Sequence, residues 1–306
     1  MCNTSSNQLV INWHLTEACN YGCQYCYARW KKPSGRELIH DAGKVSELVI
    51  ELYDFFKPGN TSNPLTRNMS WQSVRLNLAG GEPLLYASKL PSVARQARTL
   101  AMDVSIITNA SRMTRDVVNE LLPQLTWIGV SLDSSSLKTN QGIGRMTHHG
   151  EVINFDHLSN SLSSARMKNP SLSLKINTVV NKLNYQEDFS QVLDKFSPKK
   201  WKVLRMLPVT NDSLAISEEE FFEFVERHSQ WKEILCVEDN QDMQDSYLMV
   251  DPYGRFFQNG SSLNGFGYQY SQPIIEVGAA RAFADITFKP ERYLSRYIVS
   301  DKGELV

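Results

Sequence analysis

The stretch "HLTEACNYGCQYCYARW" (residues 14–30) holds three of the five cysteines in this 306-residue chain. Cys19, Cys23 and Cys26 are spaced C-x3-C-x2-C and directly follow a β-rich run, "LVINWH" (9–14). Such short gaps let three sulfur atoms face one point, and soft thiolates favour zinc, Cu(I) or iron–sulfur clusters. A structural zinc site takes four protein ligands. Three thiolates on a [4Fe–4S] cluster leave one iron open to a substrate or cofactor.

Strand-like and helix-like runs alternate along the first 230 residues. We predict strands at 9–14, 74–79, 103–108, 126–132, 172–178 and 200–207, and helices at 36–57, 88–100, 114–122, 152–167, 186–196 and 217–229. This alternation indicates an α/β fold with a mostly parallel sheet, wound into a partial (β/α)6 TIM-like barrel. The cysteines then lie at the mouth formed by the C-terminal ends of the strands, where active sites of such barrels are found.

Three further segments complete the predicted organisation. Residues 57–73 are rich in Asn, Ser, Thr and Pro, and are predicted to form a surface loop insertion. Residues 246–257 predict two strands around an Asp-Pro-Tyr-Gly turn. We therefore divide the chain into a barrel over residues 1–230 and a C-terminal extension over 231–306 that caps it.

Composition limits the partners. The formal net charge is −1, which gives no general attraction for nucleic acid polymers or anionic membranes. No signal peptide is recognised, and no apolar run reaches the roughly 20 residues of a membrane span. We expect a cytoplasmic monomer with neither a nucleic acid polymer nor a membrane as partner.

Period-two alternation gives the predicted strands one apolar and one polar face. The polar faces carry Asn12, Arg75, Asn77, Lys175, Asn177 and Lys202. Burying unpaired cations is costly, so a lumen lined by Arg75, Lys175 and Lys202 is predicted to hold water and an anion. The alternative is that these side chains face solvent on an open sheet. Since a Walker A motif is absent, a polyphosphate would be held by barrel side chains, with Arg145 of "GIGR" (142–145) adding a further cation.

Two strings, "CNYGCQYC" (19–26) and "NLAGGEP" (77–83), resemble the motifs of the radical S-adenosylmethionine (SAM) superfamily. The resemblance implies that Cys19, Cys23 and Cys26 hold a [4Fe–4S] cluster whose open iron binds SAM. It also implies that Gly80, Gly81 and Glu82 bind SAM. Asn109 in "ITNAS" (107–111) and Ser131 in "VSLDSS" (130–135) resemble positions that contact the ribose and carboxylate of SAM. The alternative is that Asn109 and Ser131 only cap the following helices.

Further strings resemble the viperin family of radical SAM enzymes, notably "LKINTVVN" (174–181), "WKV" (201–203) and "EDNQDMQDSYLMVDPYGRF" (238–256). This resemblance implies that a 5′-deoxyadenosyl radical takes the 4′ hydrogen of a ribonucleoside triphosphate, which then loses its 3′ hydroxyl as water. The product is the 3′-deoxy-3′,4′-didehydro nucleotide, a chain terminator in antiviral defence. The electron comes from a flavodoxin- or ferredoxin-type donor.

The resemblance also assigns residues. Phosphate contacts fall on Arg75, Arg145, Lys175 and Lys202, and other nucleotide contacts on Asn12, Asn77 and Asn177. Tyr247 lies close to the sugar, where it either supplies the last hydrogen or only packs against the ribose. Arg75 and Ala79 stand where vertebrate viperin has lysine and serine, which indicates a prokaryotic relative.

The base and two competing functions stay open. The loop 236–247 is expected to meet the base through Glu238, Asp239 or Asn240, and it favours CTP, with GTP and UTP as alternatives. The first competing function is another radical SAM enzyme that modifies a peptide or small molecule. The second is a zinc-stabilised nucleotide-binding protein without enzymatic activity.

Overall fold

The computed structural model describes residues 4–28, 30, 32–33, 35–208, 212–259 and 268–295. Within them the chain forms ten strands: β1 (Thr4–His14), β2 (Met69–Ala79), β3 (Asp103–Thr108), β4 (Trp127–Ser131), β5 (Ser173–Val180), β6 (Lys200–Arg205), β7 (Leu235–Glu238), β8 (Leu248–Val250), β9 (Arg255–Gln258) and β10 (Gln269–Pro273). The α-helices described are α1 (Ala42–Phe56), α2 (Leu90–Thr99), α3 (Leu137–Ile143), α4 (Phe155–Lys168), α5 (Ser190–Phe196), α6 (Glu218–Arg227), α7 (Ile274–Val277), α8 (Ala279–Phe283) and α9 (Pro290–Ser295).

One sheet contains all ten strands, in the order β10-β9-β8-β1-β2-β3-β4-β5-β6-β7. Strands β1 to β7 run parallel in chain order, and β8 returns to pair in parallel with the other side of β1. Strands β9 and β10 continue the sheet in antiparallel fashion. The edge strands of the sheet are β7 and β10. Glu238 at the end of β7 contacts Tyr247 just before β8, so the parallel strands curve into an open barrel with a seam between the ends of β7 and β8, in agreement with the predicted α/β partial barrel.

The apolar faces of the strands are buried, as the alternation predicts. Side chains such as Ile11, Leu76 and Trp201 are fully buried. Helix α1 shows how the covering layer forms, since Asp41 caps its first turn by accepting from the N–H groups of Gly43 and Lys44. Its buried residues recur at helical spacing, so one face of α1 packs on the sheet.

Two sequence-based expectations need correction. The segment 57–73 is not wholly a loop, because β2 begins at Met69, where Met69 and Trp71 are buried. The indole N–H of Trp71 donates to the carbonyl oxygen of Phe56 at 2.7 Å, which ties this strand extension to α1. The helix expected at 114–122 is a π-helical turn over Val117–Leu121 followed by a short 3-10 turn.

The C-terminal segment joins the sheet. Strands β8 and β9 flank the predicted Asp-Pro-Tyr-Gly turn, which confirms the hairpin. The hydroxyl of Tyr293 on α9 accepts from the backbone N–H of Val10 at 2.8 Å, so this helix packs against β1. The proposed boundary at residue 230 falls between α6 and β7, within one continuous sheet. No helix in the described part of the chain is long and apolar enough to cross a membrane.

Candidate active site

The three clustered cysteines lie on the loop that leaves β1. Cys19, Cys23 and Cys26 are free thiols, and the N–H of Cys26 donates to the carbonyl oxygen of Cys23 at 3.1 Å, which closes a tight turn. Burial raises the pKa of Cys23 to about 12, and the neighbouring Cys26 and Cys19 add to this rise. The thiols are therefore close enough to influence one another, and they would lose their protons on binding metal.

The donor set around these thiols fits an iron–sulfur cluster. Backbone and side-chain N–H groups of Tyr21 and Asn109 point at Cys19 Sγ, at 3.4 and 3.9 Å, and an Arg145 nitrogen lies 3.9 Å from Cys23 Sγ. Such donors stabilise the negative charge on cluster sulfurs. Among the described residues, no three His, Cys, Asp or Glu side chains surround a single metal ion. A cluster needs no such convergence, because each of its irons takes its own thiolate.

A turn after α3 supports the far side of the cysteine loop. The N–H groups of Gly22 and Gln24 donate to the carbonyl oxygens of Gly144 and Ile143, each at 3.0 Å. The Gln24 side chain adds a bond to the carbonyl oxygen of Gly142 at 2.7 Å. The sequence "GIGR" therefore serves as a backbone template for the cysteine loop.

The near side of that loop rests on the Gly-Gly-Glu motif. The N–H groups of Gly81 and Glu82 donate to the carbonyl oxygens of Thr16 and Ala18, at 2.7 and 2.8 Å. A Cβ on Gly81 would lie 2.1 Å from the carbonyl oxygen of Ala18. The backbone of the cysteine loop therefore lies directly against these glycines.

Glu82 is fully buried and largely engaged by its own chain. Its carboxylate accepts from the N–H of Leu84 at 2.9 Å, the hydroxyl of Thr108 at 2.6 Å and the N–H of Asn109 at 2.7 Å. Burial raises the pKa of Glu82, although these hydrogen bonds act in the opposite direction. A carboxylate offers about four acceptor positions, so one remains for a ligand ammonium.

Arg145 lies beside the cysteine loop and outside the lining of the main cavity. Its guanidinium donates to the carbonyl oxygen of Ser131 at 2.6 Å and to the hydroxyl of Tyr25 at 3.2 Å, and it pairs with Asp133 at 3.4 Å. Tyr25 in turn donates to the Asp133 carboxylate. Arg145 therefore contacts Ser131. It does not line the main cavity, where Arg75, Lys175 and Lys202 lie.

The main cavity occupies the barrel lumen below the cysteine loop. Its volume is about 350 Å³. The lining residues are Asn7, Gln8, Val10, Ser73, Arg75, Asn77, Ser105, Ile106, Trp127, Gly129, Lys175, Lys199, Lys200, Lys202 and Glu238. Four predicted substrate residues, Arg75, Asn77, Lys175 and Lys202, therefore line one chamber.

Positive charge dominates this chamber, with five cationic side chains against the single carboxylate of Glu238. Lys175 lies directly opposite Lys200 on the neighbouring strand. Burial, followed by the charges of Lys202, Arg75 and Lys200, holds the pKa of Lys175 well below its usual value. No carboxylate lies within ion-pair distance of Lys175 among the described residues. An anionic ligand would relieve this repulsion.

Amide side chains form a second layer beside the cations. Asn77 donates to the side-chain oxygen of Asn12 at 2.8 Å and accepts from the hydroxyl of Ser105 at 2.7 Å. The side-chain oxygen of Asn177 is buried and lacks a hydrogen-bond partner among the described residues. Space for this layer depends on Gly129, where a Cβ would lie 3.2 Å from Lys175 Cε.

Lys202, Glu238 and Tyr247 form a closed ring of contacts. The Lys202 ammonium lies 2.7 Å from a Glu238 carboxylate oxygen and donates to the Tyr247 hydroxyl at 2.6 Å. The Tyr247 hydroxyl donates to the other carboxylate oxygen of Glu238. Tyr247 therefore contacts two residues of the chamber lining, Lys202 and Glu238.

Four site residues, Lys200, Gly129, Asp133 and Tyr25, were missed by sequence reasoning. Lys200 shares a strand face with Lys202, and Gly129 is an isolated glycine within a strand, so both carried a detectable signal. Asp133 and Tyr25 pair only through the fold, and the contacts of Glu238 with Lys202 and Tyr247 likewise depend on tertiary structure.

Comparisons with known proteins agree with this geometry. Residues 13–155 match the model of the radical SAM superfamily. An S-adenosylmethionine-dependent nucleotide dehydratase of Psychrobacter lutiphocae is 42% identical over 96% of this chain and 96% of its own length. The chain belongs to the nucleotide dehydratase family. A second member, from Pseudoalteromonas ulvae, is 37% identical over 96% of this chain and 94% of its own length.

Family membership confirms the predicted resemblance to viperin and the two cofactors, a [4Fe–4S] cluster and SAM. The dehydratase fold also resembles a solved structure of native anSMEcpe with bound AdoMet and the Kp18Cys peptide, with a TM-score of 0.64. That match covers 96% of this chain and 85% of the other, at 13% identity. This match confirms the predicted α/β fold class and carries no information about the substrate.

Proposed function

We propose that this dehydratase is a radical SAM lyase that converts a ribonucleoside triphosphate to its 3′-deoxy-3′,4′-didehydro analogue, a chain terminator in antiviral defence. The main support for the proposal is the chamber, because its five cationic side chains around one carboxylate are suited to binding a polyphosphate. The dehydratases of the same family support the reaction class.

The length of β1 allows a nucleotide to lie along the strands. Gln8 lines the lower end of the chamber, and His14 ends β1 just before the cysteine loop. Six residues of strand span about 20 Å. A triphosphate among Arg75, Lys175, Lys200 and Lys202 would then leave the sugar near Tyr247 and the cysteine loop.

Cys19, Cys23 and Cys26 would hold the cluster, and SAM would lie against residues 80–82, which follow β2, and against Asn109 and Ser131. When bound, these cofactors supply a 5′-deoxyadenosyl radical that takes the 4′ hydrogen of the sugar. The side chains of the chamber position the nucleotide, and positioning of this kind accounts for large rate effects. Loss of the 3′ hydroxyl as water then consumes one proton. Completion of the alkene consumes one electron, which a flavodoxin- or ferredoxin-type donor supplies.

For the base we propose CTP. Glu238 and Asp239 are engaged by Lys202 and Arg205. The side-chain oxygen of Asn240 is buried and lacks a hydrogen-bond partner among the described residues. An amide oxygen accepts from an exocyclic amino group, which cytosine and guanine carry and uracil lacks. Base preference, cytoplasmic location and the monomeric state stay predictions.

The test is to incubate the reduced, cluster-loaded protein with SAM and, separately, CTP, GTP, UTP and ATP. Mass analysis is expected to show a dehydrated nucleotide, with CTP converted fastest, and 5′-deoxyadenosine formed alongside it. Release of 5′-deoxyadenosine without any dehydrated nucleotide would contradict the proposal and favour a different radical SAM substrate. Metal analysis of anaerobically purified protein provides the control, with iron and sulfide expected in place of zinc.

A further inference from the structure

Glu238 is an acid in a chamber built for an anion. It lines the chamber among five cationic side chains, yet its own carboxylate is buried and within 2.7 Å of Lys202. A carboxylate here repels any phosphate group nearby. Triphosphate binding alone therefore does not explain why this position carries an acid.

The location of Glu238 suggests a different role. It ends β7, the last strand on one side of the sheet, whereas Tyr247 directly precedes β8, which pairs with β1 on the other side. The contact between Glu238 and Tyr247 therefore bridges the seam of the open barrel. Lys202, on β6, completes the bridge from within the lumen.

The ring of contacts fixes the tyrosine by both its donor and its acceptor. The one hydroxyl proton of Tyr247 is donated to Glu238, and a lone pair of the same oxygen accepts from Lys202. A phenol has no other polar group, so these two partners set the position of the ring within the seam. If the carboxylate were removed, the Lys202 ammonium would be the one partner left of the two described here for the Tyr247 hydroxyl.

We propose that Glu238 is a positioning residue for the dehydration, acting through Tyr247 and Lys202. Its carboxylate holds the phenol across the seam beside the sugar, at the cost of weaker triphosphate binding. This inference rests on the proposed function, because Glu238 would position Tyr247 during the steps that follow removal of the 4′ hydrogen. Two opposite effects follow: neutralising Glu238 strengthens binding of the triphosphate and slows turnover.

The test compares Glu238→Gln and Glu238→Asp with the wild type. In cluster-loaded, oxidised protein without SAM, CTP binding measured by calorimetry is expected to tighten about 3- to 10-fold in Glu238→Gln, because a repelling charge is lost in a partly screened site. Glu238→Asp keeps the charge and is expected to bind CTP as the wild type does. In cluster-loaded protein, kcat is expected to fall about 10- to 100-fold in both variants, because Asp is too short to keep the contact with the phenol and Gln loses the charge that holds the Lys202 ammonium against it. The yield of 5′-deoxyadenosine per dehydrated nucleotide is expected to rise.

A double-mutant cycle with Tyr247→Phe tests whether Glu238 acts through the tyrosine. If it does, adding Glu238→Gln to Tyr247→Phe lowers kcat little further. Weaker CTP binding in Glu238→Gln, an unchanged kcat, or fully additive effects would each overturn the inference. Equal iron content and melting temperature in the variants exclude general damage. A wild type that dehydrates no nucleotide refutes the proposed function itself, whereas an active wild type with an equally active Glu238→Gln refutes only the role of Glu238.

Discussion

Gly144 and Gly22 pack backbone against backbone, with the Gly22 N–H donating to the Gly144 carbonyl oxygen at 3.0 Å. A Cβ on Gly144 would lie 2.4 Å from the carbonyl oxygen of Gly22, and Gly144 has a φ of 84°. We therefore expect Gly144→Ala to displace the cysteine loop at the residue next to Cys23. The protein should fold but lose most of its cluster, measured as iron and sulfide per chain after reconstitution.

The control for this substitution is Gly150→Ala. Gly150 has a similar φ of 79°, but nothing lies within 4 Å of a Cβ placed there. Both variants carry a backbone strain of about 1–3 kcal/mol, so both are expected to melt at lower temperature. Only Gly144→Ala should lose the cluster; full iron content in that variant would contradict the template role of "GIGR".

Gly129 keeps the chamber open beside Lys175 and Asn177. A Cβ there would meet Lys175 Cε at 3.2 Å and Asn177 Nδ2 at 3.4 Å. Gly129→Ala is expected to push both side chains from their positions and to weaken CTP binding about tenfold, a shift of about 1.4 kcal/mol. Calorimetry on cluster-free protein measures this effect. Cluster content should stay at the wild-type level, since none of the atoms nearest to a Cβ on Gly129 belongs to the cysteine loop or to the turn that supports it.

The sequence predicts the barrel and its chemistry where local pattern decides the outcome. Period-two alternation places Arg75, Lys175 and Lys202 in the lumen because their strands bury the opposite face against helices. The cysteine spacing likewise indicates the cluster. The strand extension at Met69–Ser73 was missed because its polar residues suggest a loop, and only its contact with α1 shows that Trp71 is buried.

Contacts between distant segments could not be predicted. Arg145 was expected among the phosphate contacts, but a single sequence does not show that Asp133 and Tyr25 hold it beside Cys23. Glu238 and Tyr247 are nine residues apart, and their contact depends on β7 and β8 facing each other across the seam. Such pairs follow from the closure of the barrel, which no local pattern encodes.

Arg145→Lys separates the two possible roles of this cation. Lysine keeps the charge but cannot reach Ser131, Tyr25 and Asp133 together as the planar guanidinium does. We expect lower cluster content and faster oxidative loss of iron, because the cysteine loop loses its anchor. CTP binding by cluster-free protein should change by less than about threefold, or under about 0.7 kcal/mol. A larger loss of CTP affinity would show that Arg145 contacts the phosphates of the nucleotide.

Lys175→Met tests whether Lys175 lowers the stability of the folded protein while it contributes to anion binding. Lys175 is held among Lys202, Arg75 and Lys200, and burial with these charges lowers its pKa well below the value of 10.5. Methionine has a similar volume and no charge, so we expect the free energy of unfolding at pH 7 to rise by about 1–3 kcal/mol in the variant. The urea midpoint should rise accordingly. CTP binding should fall at least about tenfold, because a phosphate contact is lost.

The stability difference between the wild type and Lys175→Met is also expected to depend on pH. Between the lowered pKa and 10.5, the unfolded chain binds a proton at Lys175 that the folded protein does not bind. The stability of the wild type, relative to Lys175→Met, therefore rises with pH across this window, and the full penalty remains below it. Urea midpoints of both proteins measured from pH 6 to pH 10 are expected to converge toward the alkaline end. A difference in stability that widens with pH would show that a partner stabilises Lys175 as a cation, and would contradict destabilisation by burial and by the neighbouring charges.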